Sequence, residues 1–82
     1  MKHITYRTKN VCSEQIDFDL TDTNKIVNCQ FTGGCHGNLL AICKLVEGQE
    51  AVRIAKLLKD NRCGSNQTSC ADQLAIAIIS NL

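Results

Sequence analysis

The stretch FTGGCHGNLLAICKLVEG, residues 31–48, holds the change of period on which the fold turns. Upstream of it the apolar residues alternate. Val27, Cys29 and Phe31 are separated by Asn28 and Gln30, the period of two that gives a strand one buried face. Gly33 and Gly34 end that pattern. From Leu39 the apolar residues recur at helical spacing, with Leu39, Ile42, Cys43 and Val46 on one stripe and Leu40 and Leu45 beside it. Gly48 fits a helix stop. A sharp turn from strand into helix is the simplest role for the paired glycines, since glycine accepts backbone angles that other residues avoid.

Working back toward the N-terminus, two more strands are expected. Ile16, Phe18 and Leu20 alternate with Asp17 and Asp19, and Ile4 and Tyr6 alternate with His3, Thr5 and Arg7. Lys9–Asn10 and Thr21–Asn24 supply turn chemistry between them. Working forward, Ala51, Ala55 and Leu58 form a stripe opposite Arg53, Lys56 and Asp60, an amphipathic surface helix. A last helix is expected from about Ser69, burying Leu74, Ala75, Ile78 and Ile79, with Ser69 and Asp72 spaced as a capping box. Strands followed by a run of helices imply an α+β fold: a three-stranded antiparallel sheet followed by three helices packed on one face.

The 82 residues allow one domain, 1–82, small enough to gain from a metal or a dimer interface. Nine basic and eight acidic side chains leave a net charge of +1 with no basic run, and the aromatics are only Tyr6, Phe18 and Phe31. That pattern argues against direct nucleic-acid binding. No apolar run reaches the roughly 20 residues of a membrane span, and the N-terminus has no signal-peptide core, so a cytoplasmic setting is expected. In a reducing compartment, cysteine clusters point to metal or redox chemistry before a disulfide framework.

The six cysteines fall into two kinds. Cys29 and Cys43 lie on the apolar faces of a strand and a helix and read as small core residues. Cys12, Cys35, Cys63 and Cys70 lie where elements join. Joints can aim several thiols at one point, and helix starts at Cys35 and Cys70 favour the thiolate that binds metal or attacks. Four such thiols suit a Cys₄ zinc site or an iron–sulfur cluster. The gaps are long, with no C-x₂-C knuckle. A redox pair of Cys63 and Cys70, and four unrelated thiols, therefore stand as alternatives. His36 beside Cys35 reads first as a solvated residue and second as a ligand. Gly33, Gly34 and Gly37 make no phosphate loop, because no Gly-Lys-Ser/Thr follows.

Thr68-Ser-Cys-Ala-Asp72 resembles the motif that names the TSCPD domain. The likeness extends to Val11-Cys-Ser13, Phe31–Leu39, Leu45–Gly48, Cys63-Gly64 and Asp72–Ala75, nearly the whole chain. The chain is similar to the small stand-alone members, marked by four cysteines, which here would be Cys12, Cys35, Cys63 and Cys70. Alanine at 71 replaces the motif's proline, a residue suited to the first turn of a helix. The family's larger members carry this domain at the C-terminus of coenzyme-B12-dependent ribonucleotide reductases. The resemblance therefore implies an accessory role in nucleotide metabolism, beside a larger protein such as a reductase or as a homodimer. It also carries the label of ribonucleoside-diphosphate reductase. A chain this short has no room for the barrel and radical site that reaction needs. A fainter topological likeness to NifU-like iron–sulfur scaffolds implies that Cys12, Cys35 and Cys70 converge, which leaves an iron–sulfur scaffold as a further alternative.

Overall fold

A computed structural model describes residues 1–62 and 67–82. Three strands, β1 (Lys2–Arg7), β2 (Ser13–Leu20) and β3 (Ile26–Gly33), precede three helices, α1 (His36–Val46), α2 (Ala51–Leu58) and α3 (Cys70–Ile79). The sheet is an antiparallel meander in the order β1-β2-β3. This is the α+β arrangement expected from the change of period. Both strand turns close on asparagines with positive φ, Asn10 (60°) and Asn24 (60°), a conformation asparagine tolerates better than most residues.

One face of the sheet is apolar. Ile4, Ile16, Phe18, Leu20, Ile26 and Cys29 form a continuous core with Val46, Ala51, Ile54, Leu74 and Ile78 from the helices. The other face is polar and carries an ordered network. The cross-strand pair His3 and Asp19 is joined through Nδ1 and Oδ1 at 2.6 Å, and Thr5 donates to its own cross-strand partner Asp17 at 2.7 Å. Gln15 donates to Asp17 and Asn28 to Asp19.

The third strand departs from simple alternation. Ile26 is fully buried while Val27 is only half-buried, and Cys29 is buried two residues beyond Val27. Asn28 takes a φ of 58°, and the pairing with β2 shifts between Asp17 and Asp19. The extra residue of this bulge moves the inward positions from 27 to 26. Three helix positions also differ from expectation: Leu40, Leu45 and Ile79, assigned to or beside buried stripes, are exposed.

The link from α1 to α2 docks on the start of β3. Gly48, with φ 76°, ends the helix as expected, and Gly48 N–H donates to Ile26 O while Ile26 N–H donates to Gln49 O. Among the described residues no helix is long and apolar enough to cross a membrane.

Candidate functional site

The site lies at the end of the sheet where the β1–β2 connection, the Gly33–Gly34 turn and the start of α3 meet. Gly33 and Gly34 have φ of 77° and 79°, so the strand-to-helix turn uses the left-handed backbone that glycine supplies. At Gly34 space is also limiting. A Cβ there would lie 2.8 Å from Leu39 Cδ1, 3.0 Å from Ser13 N and 3.1 Å from Cys12 Sγ. The bare backbone lets the chain press against Cys12.

The start of α3 is fixed by the motif residues. Ser69 caps the helix, its Oγ accepting from Asp72 N–H at 3.1 Å. The reciprocal half of the expected capping box is replaced. The buried Asp72 carboxylate accepts from Asp60 N–H at 2.6 Å and from the Thr68 hydroxyl, tying the end of α2 to the start of α3. Gln73, also buried, accepts from Lys9 N–H at 3.1 Å and donates to Thr68 at 3.0 Å, pinning the β1–β2 connection to the same helix. Thr68, Ser69, Asp72 and Gln73 thus lock three segments together, and Cys70 is the residue left facing the site.

The outcome is a pair of thiols. Cys12 Sγ and Cys70 Sγ lie 3.7 Å apart, and Ser13 Oγ lies 3.2 Å from Cys70 Sγ. Ser13 is buried and held in place by the Thr8 hydroxyl on its carbonyl. Hydrogen bonds from the Cys35 backbone N–H first, and from the Cys70 thiol second, hold the Cys12 thiol below its usual range. The α1 start therefore turns its donor toward Cys12.

Cys12, Cys35 and Cys70 line one open cavity of about 380 Å³, together with Asn38, Asn61 and Arg62. Among the described residues, no three His, Cys, Asp or Glu side chains converge as a ligand set: Cys12 and Cys70 meet, and Cys35 lines the same cavity. Cys63, the fourth expected donor, lies outside the described residues, as does its half of the expected Cys63–Cys70 redox pair. His36 faces a different depression, beside Cys29 and Cys43. Those two cysteines behave as core residues. Burial raises both thiols, with the neighbouring Cys43 adding to the rise at Cys29 and a hydrogen bond from Cys29 opposing it at Cys43.

Sequence reasoning missed Ser13, Thr68 and Gln73. Ser13 and Gln73 reach Cys70 and Lys9 far along the chain, so no local spacing marks them, while Thr68 bonds Asp72 and Gln73 within its own stretch. The signal for all three was their place in stretches 11–13, 68–72 and 72–75, which carry the family resemblance.

Fold and site together define a small α+β domain that gathers thiols at the joints of its elements. The chain belongs to the TSCPD domain family, whose model matches residues 2–81. No curated protein and no solved structure matches it.

Proposed function

We propose that this TSCPD domain is a small metal-holding module, with zinc as the ion and Cys12, Cys35, Cys63 and Cys70 as the donors. The observation that carries the reading is the 3.7 Å between Cys12 Sγ and Cys70 Sγ. A tetrahedral ion with bonds of about 2.3 Å to sulfur holds its sulfurs about 3.8 Å apart, so this pair already spans one edge of such a site. The two sulfurs are held there by independent means, Cys12 by the Gly34 turn and Cys70 by the locked start of α3. Cys35 borders the same cavity from the start of α1.

A closed set of four thiolates would be structural, with no open position for substrate. The module would then act by its shape, as an accessory to a larger protein of nucleotide metabolism such as a ribonucleotide reductase. That partner rests on the family resemblance alone.

Metal binding of this kind is also folding energy. Strong chelator is expected to lower the melting temperature of protein purified under reducing conditions. Readdition of zinc chloride should restore it. A melting curve unchanged by chelator would contradict the reading, and restoration by ferrous iron with sulfide but not by zinc would replace it with an iron–sulfur scaffold.

A further inference from the structure

We infer that Cys12 and Cys70 form a reversible disulfide, and that this bond and metal holding exclude one another at the same two sulfurs. The first part rests on geometry. The second rests on the metal reading above.

Cys12 Sγ and Cys70 Sγ are 3.7 Å apart, and a disulfide of about 2.05 Å needs the sulfurs to approach by about 1.7 Å. Cys12 lies in the connection between β1 and β2, outside both strands and next to a turn closed by Asn10. Cys12 is exposed and reachable by a small oxidant, whereas Cys70 is half-buried beside it, held through Ser13. Cys29 is buried in the core and Cys43 lies against it, away from this cavity. The bond would join residues 58 apart in sequence, linking the strand half of the chain to the last helix.

The oxidant required is a small-molecule disulfide, such as oxidised glutathione. The deprotonated Cys12 sulfur attacks one oxidant sulfur, forming a mixed disulfide and releasing one thiolate. The deprotonated Cys70 sulfur then attacks Cys12 Sγ, forming the Cys12–Cys70 bond and releasing the second thiolate. Two electrons pass to the oxidant. The two protons lost by the cysteines end on the two released thiols, and a small-molecule dithiol reverses both steps. Formation of the bond removes two sulfur donors from the site at once, so oxidation would release a held ion.

The test has two arms. In the first, metal-free protein is treated with oxidised glutathione, quenched in acid, alkylated and digested without reduction. Trypsin leaves Cys63 and Cys70 on one peptide, because no Lys or Arg follows Arg62. The cross-link is therefore mapped in the Cys63→Ser variant. A peptide pair joined through Cys12 and Cys70, absent from Cys70→Ser, is the expected result. Stable glutathione adducts on both residues, or a bond between either residue and Cys35, would overturn the pairing. In the second arm, zinc-loaded protein is oxidised while a chromophoric chelator reports free zinc. Release should follow the cross-link one for one. A cross-link that forms while zinc stays bound would overturn the exclusion. Protein that never takes up zinc would fail the metal reading and leave the first arm to decide the disulfide.

Discussion

The same residue does two opposite jobs in this molecule. At the joints, Cys12 receives hydrogen bonds from the Cys35 N–H and the Cys70 thiol, which favour its thiolate. In the core, Cys29 and Cys43 sit in apolar packing, where burial disfavours the charged form. Separation along the chain does not distinguish them, since Cys29 is six residues from Cys35. Unpaired N–H groups where strands and helices begin make the difference. At Cys12 the thiol chemistry is set by the element ends that meet there, and the sheet and helices serve to bring those ends together.

The strongest way to break this contrast is to fill the space that lets the joints close. Gly34→Ala adds a Cβ against Leu39, Ser13 and Cys12 at a φ of 79°. A loss of about 2–4 kcal/mol is expected in denaturant unfolding, combining backbone strain with overpacking. The chelator response should shrink with it. Gly37→Ala, where an added Cβ meets nothing, should cost far less and serves as the control.

A second test sharpens the contrast directly. Alkylation by iodoacetamide at neutral pH, followed residue by residue by mass spectrometry, should label Cys12 far faster than Cys29, since hydrogen bonds favour the Cys12 thiolate while burial both disfavours the Cys29 thiolate and shields it from the reagent. Cys29 should be labelled only as the chain unfolds. Equal rates at the two sites would mean that the joints confer no special thiol chemistry.

Much of this was legible in the sequence because its signals are local. Alternation along residues 4–31, asparagine at the turns and the glycine pair at 33–34 set out the meander and the switch to helices. The bulge at Asn28 was not legible, because alternation read on Val27, Cys29 and Phe31 looks unbroken and only pairing with β2 exposes the extra residue. The placement of Cys12, Cys35 and Cys70 at element ends could be read. What holds them could not: Asp72 reaches Asp60, Gln73 reaches Lys9 and Ser13 reaches Cys70, contacts that exist only once the chain is folded. Asp72 shows the limit well. Its spacing from Ser69 signalled a capping box, yet its carboxylate serves a neighbouring helix.

The smallest expected effect lies on the polar face of the sheet, remote from the thiols. His3 is raised above its usual range, chiefly by its hydrogen bond to Asp19, and Asp17 and Asp19 are lowered, chiefly by Gln15 and Asn28 respectively. A raised histidine stabilises the fold fully below its ordinary pKa, and that contribution is lost as pH rises through the raised value. The lowered carboxylates stabilise above their ordinary range and lose it as pH falls through theirs. The melting temperature of wild type relative to His3→Gln should therefore differ most in mildly acidic solution and converge as the pH is raised above neutrality. The cluster is exposed, so the difference should be small and should fade with salt. A pH-independent difference would show that the network contributes packing only.

The thiols at the joints are proposed to form one site. Elemental analysis of metal bound per chain, on protein purified under reducing conditions without chelator, tests it most directly. About one zinc per chain is expected, lost in Cys12→Ser, Cys35→Ser, Cys63→Ser and Cys70→Ser and kept in Cys29→Ser and Cys43→Ser, the stoichiometry of a single four-thiolate site. Metal-free wild-type protein, or zinc that survives loss of Cys12 and Cys70, would contradict the account.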